Sequence, residues 1–170
     1  IEERLREGQI DLALQNGPFE YQVSGVQALT EEQYVWVANA DVAGALASGS
    51  SVQRFFDKAV LTHARHTIAG SKLHELAKTE GYDVGKIIHS SALSACLPMV
   101  SEGLGVALLP RSLVVEEINS GQLTILSSDW IAPPLPFFAR YNADRAPRFV
   151  AKACEIAAYV RPEKILDQKN

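Results

Sequence analysis

Residues 101–126, Ser-Glu-Gly-Leu-Gly-Val-Ala-Leu-Leu-Pro-Arg-Ser-Leu-Val-Val-Glu-Glu-Ile-Asn-Ser-Gly-Gln-Leu-Thr-Ile-Leu, constrain the fold more than any other stretch of the chain. They fit a helix end, a strand, a second helix and a second strand into minimal space. Gly103 stands where a helix C-terminus needs a left-handed residue. The apolar run 106–109, stopped by Pro110, predicts a short strand buried on both faces. Residues 111–119 then read as a helix closed by Gly121.

The rest of the chain alternates in the same way. Residues 2–7 read as the last turns of a helix capped by Gly8, feeding a strand at 10–14. Asn16-Gly-Pro is a turn, residues 29–38 hold an extended segment (Tyr34, Val35, Trp36, Val37), and 43–51 form a loop of small residues. Residues 52–57 read as a short helical turn. A strand at 59–62 ends in a polar loop, after which Ser71 is placed to cap a helix at 72–80 closed by Gly81. Ile87 and Ile88 make another strand, and Ser91 or Ser94 opens a helix to Glu102. Pro98 in that helix removes a hydrogen bond and demands a late start or a kink. Residues 130–136 are Pro-rich and extended, and lead into a strand at 137–141. Residues 148–160 return as an amphipathic helix with Phe149, Val150, Ala153, Ile156, Ala157 and Val160 on its apolar side. This order predicts an α/β fold with parallel or mixed sheets. No internal repeat or low-complexity tract interrupts it.

Composition limits the function classes. A chain of 170 residues that is 47% apolar can form one domain or two small lobes. No apolar run approaches the roughly 18 residues of a membrane span, and Ile-Glu-Glu-Arg-Leu-Arg-Glu is too charged to open a signal peptide, so the expected location is the cytoplasm and no membrane partner is expected. The first residue is Ile, which suggests that the chain starts inside a longer one. A net charge of −4 argues against a nucleic-acid surface, which needs clustered cations. Cys96 and Cys154 sit in apolar helical patterns and are expected to be buried free thiols.

The loop Thr62-His-Ala-Arg-His-Thr67 carries the most suggestive chemistry. Arg65 offers a planar fork for a carboxylate, Thr62 and Thr67 offer hydroxyls, and a helix N-terminus follows, a combination suited to an anion. The plain alternative is a solvated loop. His63, His66, His74 and His89 are irregularly spaced and lack the company of a metal site, so no metal is expected. Ser90, Ser91 and Ser94 read first as helix caps. Gly103-Leu-Gly105 is no dinucleotide fingerprint: a helix precedes it, a strand follows, and the third small position is Leu108. No cofactor is expected. No hydrolase elbow, phosphate-binding loop or zinc-protease pair occurs, and Asp11 and Asp129 lack a readable catalytic partner, so no catalytic residue is assigned.

Two patches, Leu5-Arg-Glu-Gly-Gln-Ile-Asp-Leu-Ala-Leu14 and residues 100–126, resemble the effector-binding domain of LysR-type bacterial transcription regulators. The resemblance extends over almost the whole chain in element order. It implies two Rossmann-like lobes joined by crossing strands, in the manner of type II periplasmic binding proteins. Lobe I would comprise residues 1–30 and 133–170, without its first strand and helix, and lobe II residues 31–132. It also implies a small organic effector, expected to be anionic, held between the lobes by Thr62, His63, Arg65, Thr67, Ser91 and Ser94. A homodimer or tetramer paired through the helix at 148–160 is implied, with DNA contacted only by a winged helix-turn-helix upstream. Asp11 would fix a strand end or a backbone amide. Pro98 and the loop at 63–70 depart from the family pattern and leave the effector unnamed. The alternatives are a solute-binding protein of a transport system, which predicts a signal peptide, and a small-molecule enzyme, whose turnover would depend on His63, Arg65 and His66.

Overall fold

A computed structural model describes residues 1–46 and 48–159. The elements run α1 (Glu2–Arg6), β1 (Ala13–Asn16), β2 (Gly25–Glu32), β3 (Tyr34–Ala38), α2 (Ala40–Ala45), β4 (Ala59–His63), α3 (Ile68–Glu80), β5 (Ile87–Ser90), α4 (Cys96–Ser101), β6 (Gly105–Pro110), α5 (Val115–Asn119), β7 (Thr124–Leu126), β8 (Leu135–Tyr141) and α6 (Arg148–Tyr159). The chain divides after Glu32 and again after Pro134 into two compact units.

The unit Gln33–Pro134 is built on a five-stranded sheet of order β5-β4-β6-β3-β7. β4 runs parallel to both β5 and β6, while β3 lies antiparallel to β6 and β7. Every residue of β3 and β6 is buried, which is why both read as unbroken apolar runs. On one face Val35, Val37, Leu61, Ala107 and Leu109 meet Cys96 and Val100 of α4, Val114 and Leu123. Trp36 alternates to the other face, where its ring centroid lies 4.7 Å from that of Phe55, and its indole N–H donates to the carbonyl of Trp130 at 2.9 Å. Gly105 opens β6 directly against Ala59 of β4, and Gly103, at φ +80°, is left-handed as its place after a helix predicts.

The other unit carries a three-stranded antiparallel sheet, β1-β8-β2. Val150 and Cys154 of α6 pack on Ala139, with Leu12, Leu29, Tyr141 and Ala146 around them. Arg140 is 2% exposed; it pairs with Glu2, donates to the carbonyl of Tyr21, and lies 3.9 Å over the ring of Phe19. Burial raises the Glu2 carboxyl, but the Arg140 hydrogen bond and charge, with the amides of Glu20 and Tyr21, outweigh it and hold that group below the usual range. Both cysteines are buried and free, as their patterns predict.

Several expectations change. The strand expected at 10–14 runs Ala13–Asn16, and β2 begins at Gly25, well before the extended segment read at 29–38. Part of the small-residue loop at 43–51 is helical: α2 is capped by Asn39, whose side-chain oxygen accepts from Val42 N–H at 2.9 Å. Ala47 of that loop lies outside the described residues, as does Val160 of the last helix. Residues 111–113 are a 3-10 turn, and the α-helix starts only at Val115. The last strand starts at Leu135 rather than 137. On α6, Phe149 is 70% and Ile156 56% exposed, so only part of the expected apolar side faces the sheet.

Candidate functional site

β4, β5 and β6 run in one direction and end together, His63 beside Ser90 and Pro110 one step beyond. The ends of parallel strands are where loops gather polar groups without burying unsatisfied backbone. The segment 64–67 leaves β4 at this edge and enters α3.

Thr67 opens α3, not Ser71. Its hydroxyl donates to Ala64 O at 2.7 Å and accepts from Gly70 N–H at 3.2 Å. Ser71 lies inside the helix and donates to Ile68 O at 3.1 Å. The correction has a packing cause. A Cβ on Gly70 would stand 2.5 Å from Ala64 O and 3.0 Å from His63 O, so the loop backbone lies against the first helical turn and only glycine admits it. Helix geometry leaves the amides of Ile68 and Ala69 without an intrahelical acceptor, giving this helix start a positive field. Arg65 and His66 are exposed on the same loop. We expect Thr67→Ala to lower unfolding stability by about 1 kcal/mol through the lost cap, read as a lower urea midpoint at unchanged slope; an unshifted midpoint would contradict the assigned cap.

The remaining expected site residues are placed differently from one another. Thr62 is fully buried and its hydroxyl donates to Leu108 O at 3.3 Å, so it ties β4 to β6. His63 is half-buried; burial, and then the charge of His66, hold its imidazole below the usual histidine range. Ser91 and Ser94 are exposed and cap nothing: neither the 3-10 turn Leu93–Ala95 nor α4 has a side-chain cap. Ser90 instead closes a turn, donating to Ala92 O at 2.8 Å and accepting from Ala92 N–H at 3.2 Å. α4 starts late, at Cys96, which leaves Pro98 in the first turn where no intrahelical bond is lost.

Arg111 follows β6 at the same edge, its amide donating to Gln33 O at 2.7 Å. The sequence reading gave it only a helical role. Nothing in sequence distance links it to Arg65; the β4–β6 pairing does.

Other polar groups serve the frame. Asp129 accepts from Val52 N–H at 2.8 Å, and Asp11 lies beside Arg145 and Asn142 around a small pocket of the other unit. Burial raises the Cys96 thiol despite a side-chain hydrogen bond with Ser90. Among the described residues no group of three His, Cys, Asp or Glu side chains could hold a metal ion, and no helix is long and apolar enough to cross a membrane. A wide depression of about 620 Å³ is lined by Pro98, Met99, Glu102, Gly103 and Leu104. It sits where β6 begins, at the opposite edge from the polar loops.

A family model described as the LysR substrate binding domain matches residues 1–156. Among solved structures, the CcmR regulatory domain of Synechocystis PCC6803 in complex with 2-PG is similar at TM-score 0.71 and 17% identity, over 92% of this chain and 76% of that one. The regulatory domain of HypT from Salmonella typhimurium is similar at TM-score 0.68 and 21% identity, over 91% and 73%. A sulfate-bound variant of the OxyR2 regulatory domain from Vibrio vulnificus is similar at TM-score 0.67 and 16% identity, over 92% and 73%. Comparison with curated proteins gives no match.

Proposed function

Since the chain belongs to the LysR substrate binding domain family and has its type II periplasmic-binding-protein-like fold, we propose that it senses a small organic anion at the polar edge of the unit Gln33–Pro134. One observation carries the reading. An exposed guanidinium, Arg65, stands within three residues of the first turn of α3, at the shared end of three parallel strands, where the cap hydroxyl of Thr67 is already engaged and the first amides are not. A planar carboxylate or sulfate oxyanion satisfies that set through charge-assisted bonds. Arg65 and the main chain at 67–69 are the primary contacts; His63, Ser91 and Ser94 border them, and Thr62 sets the strand end from within. That one structural relative holds sulfate and another 2-PG supports the reading.

Binding acts here as a signal, not as the start of a reaction: the effector shifts populations between conformations of a regulator. The assigned oxyanion contacts include no base paired to a nucleophile, which supports a non-enzymatic role. The net charge of −4 supports a division of labour in which DNA is held by a separate winged helix-turn-helix. Phe149, Ile156 and Tyr159, exposed along α6, supply the apolar contact for a homodimer or tetramer. A cytoplasmic location follows from that role.

Calorimetric titration of the 170-residue chain with sulfate and a panel of small carboxylates tests the proposal. Saturable binding is expected, and Arg65→Gln is expected to weaken it tenfold or more, as the loss of about 1.5–3 kcal/mol from a charged hydrogen bond implies. Silence across the whole panel would overturn the reading.

A further inference from the structure

His89 of β5 pairs with Thr62 in the parallel register, and its side chain reaches one residue further along β4: Nδ1 is 3.0 Å from the carbonyl oxygen of His63. Because a carbonyl only accepts, that nitrogen carries the hydrogen, and the neutral ring keeps a bare lone pair on Nε2. This Nε2 is buried without a hydrogen-bond partner. A free imidazole in water favours the other tautomer, with its hydrogen on Nε2, so the fold holds the less common form for one bond to the main chain. The His74 ring of α3 lies beside it, centroids 6.3 Å apart, and the His89 imidazole is lodged between that helix and the end of β4.

His63 is the last residue of β4, where the chain turns into the loop 64–67. Its carbonyl oxygen and that of Ala64 lie against the first turn of α3, 3.0 Å and 2.5 Å from where a Cβ on Gly70 would stand. The amides of Ile68 and Ala69 belong to the same turn. A carbonyl oxygen carries partial negative charge, so one swung toward a bound anion opposes it as directly as an amide N–H favours it. Both oxygens are tied. Ala64 O accepts from the Thr67 N–H at 2.9 Å and from the Thr67 hydroxyl at 2.7 Å, a tie within the loop itself. His63 O accepts from His89, 26 residues away in sequence and on another strand, which joins the loop to the sheet. Since the peptide group is planar, a fixed His63 carbonyl also fixes the Ala64 N–H and the direction in which the loop departs.

We infer that His89 is a positioning residue of the anion site: through its Nδ1 hydrogen it keeps the His63 carbonyl turned from a bound anion and sets the path of the loop 64–67, acting through His63 and not on the ligand. The inference rests on the anion-site reading of that loop given above.

Two substitutions of nearly equal size separate this role from simple space filling. Leucine has no donor, whereas the amide nitrogen of asparagine stands two bonds from Cβ, as Nδ1 does. In calorimetric titrations of the 170-residue chain with sulfate, His89→Leu is expected to weaken binding by roughly three- to tenfold, the worth of one hydrogen bond. His89→Asn is expected to restore it to within about twofold of the parent. Equal affinities for the two variants, or a leucine variant that binds like the parent, overturn the positioning role alone; silence of the parent chain toward sulfate overturns the anion-site reading and this role with it. A second measurement needs neither variant nor ligand. Ring-nitrogen NMR is expected to find the hydrogen of the neutral His89 ring on Nδ1, and a hydrogen on Nε2 overturns the inference.

Discussion

Replacing Gly105 by alanine is expected to destabilise the unit Gln33–Pro134 by about 3 kcal/mol, the upper part of the usual range for overpacking. The added methyl would stand 2.1 Å from Ala59 O, 2.9 Å from its carbonyl carbon and 3.1 Å from its Cα, all of them backbone atoms of the adjoining strand. A side chain can rotate away; a strand in mid-sheet cannot. Relief requires β4 and β6 to part where Ala59 pairs Gly105, and the same two strands deliver the loop at 64–67 and Arg111 to the polar edge. Chemical denaturation is expected to show a lower midpoint together with weakened sulfate binding. A variant as stable as the parent would mean that the two strands approach less closely than described.

Trp36→Ala is expected to cost about 3–5 kcal/mol, the range for removing a large buried aromatic. Trp36 is fully buried on β3, between β6 and β7, and its ring meets those of Phe55 and Trp130 at tilted angles of 49° and 56°. Its loss leaves a cavity too well braced to collapse. It also removes the donor to Trp130 O, part of a clasp in which Asp129 N–H donates to Ser50 O at 2.7 Å and Arg54 reaches Ser127 O at 2.6 Å. Equilibrium unfolding checks this directly. A loss below about 1 kcal/mol would show that the ring is not part of a close-packed core.

The elements most legible in the sequence are those whose periodicity and punctuation agree. β6 was readable because four apolar residues run between a glycine turn and Pro110, and its complete burial follows. Gly81, Gly103 and Gly121 were readable because a helix end in left-handed conformation favours glycine, and all three have positive φ. α3 was misread at its start because Ile68-Ala-Gly70 is a poor helical opening by propensity. Contact of Gly70 with the backbone of Ala64, a tertiary effect, overrides that preference. α2 was missed for the opposite reason: Gly44 and the small residues around it suggest a loop, and the Asn39 cap shows only in the structure.

For the candidate site, residue types were legible and placement was not. Arg65 and Thr67 stood out in a loop after a strand, which is a local signal. Thr62 looked equally available, yet strand alternation turns its hydroxyl to Leu108, a residue known to be adjacent only once β4 and β6 are paired. His74 and His89 looked like scattered histidines. Parallel pairing of β4 with β5 sets His89 beside the end of β4, and the helical face of α3 brings His74 to it.

The most direct test of the central claim is a backbone amide NMR titration of the 170-residue chain with sulfate. The account predicts the largest shifts at residues 64–70, led by the Ile68 and Ala69 amides, with smaller shifts at 90–94 and 111–112. Shifts concentrated elsewhere, around Pro98–Leu104 or on the β1-β8-β2 sheet, would contradict it.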